Sequence, residues 1–193
     1  TANAREWTAE FDAFRRPDLG LPVLGLYPGR EHAITVTIRD AAGNERTADP
    51  LTYVTPTLPS EAGELPPLRT SVPAPTLAEP GIRLLSVRRS RMDDPDFGLG
   101  YGLLLALDEA GDVVWTYRTD VQISDVERLA NGNLLYLTAD FRAVEIDMLG
   151  NEVAAWHAAG RPQREGSGLP VETQALHHEI LELPWGNLLA LGA

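Results

Sequence analysis

Alternating apolar and polar positions predict short β-strands along the first part of the chain. Residues 32–39 alternate β-branched and polar side chains, as a half-buried strand does. A turn is predicted at 40–44, and residues 51–55 can return as the partner strand. Residues 56–80 hold seven of the fifteen prolines, which favours a linker or a strap, because proline cannot donate to a β-ladder. The predicted organisation is a small N-terminal β domain at 1–55, a Pro-rich linker at 56–80 and a third region at 81–193.

Two turn motifs recur in the third region. Asp-x-x-Gly occurs at Asp108 and, 39 residues later, at Asp147, each time between two apolar strands. Gly-Asn-Leu-Leu occurs at Gly132 and, 54 residues later, at Gly186. The glycines predict tight hairpins, with Asn-Gly supplying the positive φ angles of a two-residue turn. The difference in spacing is assigned to a polar loop at 160–173, where insertion is tolerated.

These motifs predict four antiparallel strands, followed by the start of a second unit. The strands are expected at about 125–129, 133–138, 142–147 and 151–156, which is typical of a propeller blade. One blade cannot bury both of its faces, so blades must stack around an axis. The region 81–193 has room for about two blades. We therefore expect an all-β chain that carries the first blades of a larger propeller, which is truncated in this sequence.

Composition and charge narrow the classes of partner. The hydrophobic fraction of 44% supports a core, and the net charge of −12 without a basic cluster argues against nucleic acid. No apolar run reaches the length of a bilayer span, so membrane insertion is not expected. Cysteine is absent, which excludes thiol chemistry. The first residue is Thr1, which leaves open a preceding signal peptide.

The main candidate functional residues are His177 and His178. Superposing the two Gly-Asn-Leu-Leu copies places them over Ile123 and Ser124 of the first copy, so both depart from the repeat. Side chains alternate along a strand, so if the strand already runs through both histidines, only one of them can face a given site. Their spacing does not fit a metal site. The alternative is an ordinary packing role between blades.

Two arginines in the polar loop are further candidates. Arg161 and Arg164 could reach an anionic ligand above the channel, although solvated loop charges are the better explanation for them.

Three segments together resemble a known family. Residues 102–115, 129–135 and 177–189 are similar to the bacterial aryl-sulfate sulfotransferases, whose pattern at the last segment is His-His-Asp-Ile followed by Leu-Pro-Asn-Gly-Asn. Here Glu179 replaces the Asp and Trp185 replaces the first Asn of that pattern. The family layout, a small N-terminal β-sandwich before a propeller of about six blades, also resembles the order predicted here.

The resemblance implies transfer of a sulfuryl group from a phenolic sulfate ester to a phenol acceptor, without a nucleotide sulfate donor and without a cofactor. It further implies a covalent sulfohistidine, a periplasmic or secreted location and small-molecule partners, and it leaves a homodimer open. His178 is the first choice for the catalytic position and His177 the second, and sulfate binding is assigned to His178, Arg161 and Arg164. The nucleophile is expected outside this chain, so the chain alone is expected to be inactive. The alternative is a non-catalytic propeller that serves as a binding or surface scaffold.

Overall fold

The computed structural model describes residues 6–11, 20–60, 64–69, 71, 79–88, 99–162 and 168–192. Within these residues all regular secondary structure is β, with fourteen strands in five sheets and no helix. The predicted all-β class is confirmed.

The N-terminal region forms two short two-stranded sheets from four strands, which are β1 (Glu31–Ile34), β2 (Thr37–Arg39), β3 (Glu45–Thr47) and β4 (Leu51–Val54). β1 pairs with β4 and β2 pairs with β3. The single strand predicted at 32–39 is therefore divided in two, opposite a segment that contains Pro50. Proline has no N–H to donate, so the ladder is interrupted there. A sandwich-like domain at 1–55 stays a prediction.

The region beyond residue 81 contains the other three sheets. The first is antiparallel and comprises β5 (Arg83–Val87), β6 (Leu99–Leu107) and β7 (Val113–Val121). The second is a meander of β8 (Ile123–Arg128), β9 (Leu134–Thr138), β10 (Arg142–Ile146) and β11 (Glu152–Ala158), with β12 (Leu169–Val171) parallel to β11. The third is the hairpin of β13 (Leu176–Glu182) and β14 (Leu188–Gly192). The four predicted strands are β8 to β11.

One prediction in this region is wrong in part. The segment 160–173, expected to be a polar loop, contains β12, whose Leu169 and Val171 pair with Trp156 and Ala158. Two apolar residues at period two were a strand signal within otherwise polar sequence.

The hairpin loops are longer than the predicted two-residue turns. In each loop, the N–H of the glycine donates to the carbonyl three residues earlier. The N–H of the first residue of the loop donates to the carbonyl of the fifth residue and closes it. The glycines have φ between 83° and 91°, whereas Asn131 does not have a positive φ. This is a three-residue loop with a glycine bulge, the next commonest hairpin connection. The loops are 108–112, 129–133, 147–151 and 183–187.

The three sheets pack face to face. From β9, Leu134 and Tyr136 pack on one side with Leu104 of β6. Leu135 and Leu137 point to the other side and pack with Ile180 of β13. The middle sheet is thus covered on both faces, as stacked blades require. Closure of such sheets into a propeller stays a prediction.

The segment before β1 and the proline-rich segment contact the first sheet and the loop that follows β6. The Tyr27 hydroxyl donates to Asp108 Oδ2 at 2.7 Å. Leu58 and Leu65 pack on the β6 cluster, and the Tyr101 hydroxyl donates to the carbonyl of Glu64 at 2.9 Å. The described part of the proline-rich segment therefore lies as a strap over the first sheet. The domain boundaries themselves stay predictions.

Candidate functional site

The candidate site lies at the start of β13, which runs beside β8 of the middle sheet. The backbone N–H of Ile180 donates to Asp125 Oδ2 at 3.0 Å, and that of Glu182 donates to Glu127 Oε2 at 3.1 Å. Carboxylates of β8 therefore take the acceptor positions that a neighbouring backbone would supply in a ladder. These bonds fix the position of β13, and with it the histidines that precede Ile180.

The backbone at the histidine pair departs from a regular strand. The β13–β14 register shifts between Leu176 and Ile180, so the histidines lie in a bulge. His178 has a φ of 68°, in the left-handed region that few residues other than glycine adopt. Such conformations cost about 1–3 kcal/mol and are concentrated at functional sites.

The bulge brings both imidazoles together. The Nδ1 atoms of His177 and His178 lie 2.6 Å apart, within hydrogen-bond distance. The rings meet edge to face, with centroids 4.6 Å apart. The two side chains therefore do not alternate as they would in a regular strand, because strict alternation needs an extended φ at every residue and His178 does not have one.

The two Nε2 atoms of the pair can bind a ligand. His178 is exposed and His177 is half-buried. Each ring uses its Nδ1 for the other, so the two Nε2 atoms are available to accept a proton or to donate a hydrogen bond. The described residues contain no cluster of three or more His, Cys, Asp or Glu that could hold a metal ion.

Arg161 lies in the connection between β11 and β12. Its Nε donates to the carbonyl of Gln174 at 2.8 Å, and its guanidinium stacks over the Phe141 ring at 4.5 Å. These two contacts hold the guanidinium in one orientation, with its outer N–H groups at the surface. Within the described residues, no contact joins Arg161 to the histidines. Arg164 lies outside the described residues.

A second arginine near the site was overlooked in the sequence. Arg88 Nη2 donates to the carbonyl of Ser124 at 3.1 Å. Ser124 is the repeat equivalent of His178 and precedes Asp125, the side chain that binds β13. The signal was a run of arginines at 88, 89 and 91, which contradicts the view that the chain has no basic cluster. Of these three, only Arg88 is described.

Other ionisable side chains near the middle sheet have structural roles. The Tyr136 hydroxyl lies 3.4 Å from that of Tyr117, between the first and second sheets. Burial raises the pKa of Tyr136 far above its ordinary value, and the bond with Tyr117 adds to the shift. This phenol therefore stays protonated and is no candidate for a general base. In β1, His32 also has a structural role, since its Nε2 donates to the carbonyl of Tyr27 at 2.9 Å.

Comparison with known proteins gives one match. No curated protein and no solved structure matches the chain. In the described residues, no helix has the length and apolar content to cross a membrane. The family model described as arylsulfotransferase (ASST) matches residues 88–193, more than half of the chain. This range contains the histidine pair, the two Gly-Asn-Leu-Leu hairpins, and β8, whose carboxylates bind β13. The chain therefore belongs to the arylsulfotransferase family.

Proposed function

We propose that the protein transfers a sulfuryl group from a phenolic sulfate ester to a phenol acceptor, without a nucleotide sulfate donor. The covalent step is assigned to a sulfohistidine formed on a residue outside positions 1–193. For these residues alone we propose no turnover, because they do not supply that nucleophile. A periplasmic or secreted location is part of the proposal. The proposal is supported by the family match over residues 88–193.

One observation in this chain carries the proposal. The bulge at the start of β13 presents two imidazoles at one point, bonded to each other through Nδ1 and available through Nε2. Imidazole exchanges protons near neutral pH, as the leaving phenolate and the incoming phenol require. His178, the exposed member, is assigned to sulfate binding and proton exchange with the phenol.

The charge of the sulfuryl group gives the arginines a role. A sulfuryl group in transfer spreads negative charge over its oxygens, as a phosphoryl group does, so oriented cationic donors stabilise the transition state most. Arg161 is oriented by Gln174 and Phe141, and Arg88 is bonded to the strand beside β13. We assign both to attraction of the anionic substrate. The same role for Arg164 rests on the sequence alone.

The test is a transfer assay with the complete natural protein. With 4-nitrophenyl sulfate as donor and phenol as acceptor, release of 4-nitrophenolate is followed by its absorbance. His178→Ala is expected to lower kcat/KM by about 10²–10⁴-fold, the usual contribution of a general acid or base. His32→Gln is the matched control, because glutamine can still donate to the Tyr27 carbonyl, and it should leave the rate unchanged.

A different result would favour the scaffold alternative. If the complete protein transfers sulfate from no aryl sulfate ester, and His178→Ala changes only thermal stability, the protein is a non-catalytic binding module and the proposal fails.

A further inference from the structure

The distance between the two imidazoles limits their protonation. At 2.6 Å, one Nδ1 must carry a proton and the other must accept it, since two lone pairs or two N–H groups would repel each other. In the neutral pair the tautomers are therefore complementary. The ring that donates through Nδ1 has a lone pair at Nε2, and the ring that accepts has an N–H at Nε2.

We infer that His177 and His178 form a proton relay in which His178 exchanges protons with the phenolic oxygen and His177 sets the tautomer of His178. The inference rests on the proposed function for the identity of the reacting group. His178 is then the catalytic residue, and His177 is a positioning residue that acts through it.

In the first half of the reaction the pair acts as an acid. The bond between sulfur and the phenolic oxygen breaks as the nucleophile bonds to sulfur, and the electron pair stays on that oxygen. The oxygen takes the proton from His178 Nε2. The proton between the rings moves from His177 Nδ1 to His178 Nδ1, and His177 Nε2 takes a proton from solvent water. The pair remains neutral, with both tautomers exchanged.

In the second half the exchanged tautomers make the pair a base. The acceptor phenol gives its proton to His178 Nε2 as its oxygen bonds to sulfur, and the electron pair of the breaking S–N bond returns to the nucleophile. The shared proton moves back from His178 Nδ1 to His177 Nδ1. His177 Nε2 releases its proton to water, and the starting tautomers are restored. The same pair of rings thus acts first as an acid and then as a base. Each half of the reaction leaves the pair in the tautomers that the other half requires.

The fold supports this assignment of the two roles. His178 is the more exposed ring, suited to meet a substrate, and half-buried His177 retains some contact with solvent. In a regular strand the two rings would point to opposite faces and could not share a proton. The left-handed φ of His178 has a function here, which is to bring the Nδ1 atoms together.

Nitrogen NMR tests the pair independently of any activity. In the complete protein labelled with ¹⁵N-histidine, above the pH range in which histidines titrate, we expect one ring of the pair to be the Nδ1–H tautomer and the other the Nε2–H tautomer. His32 is the internal reference, because its Nε2 must donate to the Tyr27 carbonyl. His177→Asn and His178→Asn assign the signals, and an unchanged His32 signal reports that the variants are folded. Two rings with the same tautomer would overturn the relay.

Kinetics test the role of His177. An asparagine at 177 can replace the hydrogen bond to His178 but cannot relay a proton, so His177→Asn should lower kcat by about 10²-fold and leave KM within about twofold. In mixtures of H₂O and D₂O the wild-type kcat should depend on deuterium content along a curve, as expected when more than one proton moves, and the variant should give a straight line. If His177→Asn retains the wild-type kcat while His178→Ala is inactive, the relay is wrong and the proposed function stands. If the wild-type protein transfers no sulfate, the proposed function fails and the NMR experiment still decides whether the proton is shared.

Discussion

At the scale of single residues, one aspartate arrangement is used at three turns. Asp40, Asp108 and Asp147 each accept the N–H groups two and four residues later through Oδ1. In the two exposed turns an asparagine amide also binds Oδ2, from Asn44 and Asn151. This local bonding is why aspartate favours turns, and it explains these positions without any catalytic role.

These bonds perturb the carboxyl groups in a testable direction. The side-chain bond from Asn151 is the largest cause that lowers the pKa of Asp147 below 3.8, followed by the backbone bonds. Because the folded-state pKa is lowered, the stabilisation is present above the unfolded-state pKa and is lost as pH falls through the folded-state value. Asn151→Ala should therefore raise the pKa of Asp147 towards 3.8 in a carboxyl NMR titration. The pKa of Asp40 should stay where it is, and a shift at both carboxyls, or at neither, would contradict this account.

At the scale of elements, the same hairpin sequence lies in two environments. Gly132 and Gly186 begin identical Gly-Asn-Leu-Leu segments. In β9 the second leucine, Leu135, is fully buried between the second and third sheets, whereas its equivalent in β14, Leu189, is 55% exposed. The sequence alone does not distinguish them.

This difference predicts unequal mutational costs. Leu135→Ala should lower the free energy of unfolding by about 2–5 kcal/mol, since it leaves a cavity between two sheets. Leu189→Ala should change it by about 0.5 kcal/mol or less. Both values come from urea denaturation of the same chain, followed by tryptophan fluorescence. Equal costs at the two positions would show that β14 is as well covered as β9.

At the scale of the whole molecule, the segment that precedes β1 contacts the loop after β6 through two side chains of different burial, Tyr27 and Arg30. Tyr27 is buried and donates to Asp108, while Arg30 lies 3.5 Å from Asp112 in an exposed ion pair. Exposed ion pairs contribute little to stability, so the tyrosine contact is the more important of the two.

Removing that hydroxyl tests the attachment. Tyr27→Phe should lower the free energy of unfolding by about 1–3 kcal/mol, because a buried carboxylate oxygen loses a donor. Tyr53→Phe is the control, since Tyr53 is 47% exposed, and it should have almost no effect. The measurement is urea denaturation monitored by circular dichroism. If the two variants unfold alike, the segment before β1 is held by other contacts.

The candidate site shows where sequence reasoning was sufficient and where it failed. The histidines were identifiable because they depart from a repeat, which needs only the sequence. The contact between their rings was not predicted, because side-chain alternation applies to a regular strand and the left-handed φ of His178 departs from one. Arg88 was visible in an arginine run but was not recognised, since its bond to Ser124 joins residues 36 positions apart.

The sequence by itself determined the four strands β8 to β11 and the positions of the turns between them, the all-β class and the histidine pair as the position of interest. These follow from side-chain periodicity and from turn residues whose φ angles and hydrogen bonds are local. Only the tertiary structure decided that both imidazoles meet, that β12 adds to the middle sheet, that Leu135 is buried and Leu189 is not, and that the strap lies on β6. The meeting of the imidazoles depends on the backbone angle at His178. The other three depend on contacts between residues further apart in the chain, because hydrophobic packing and hydrogen bonding act on neighbours in space.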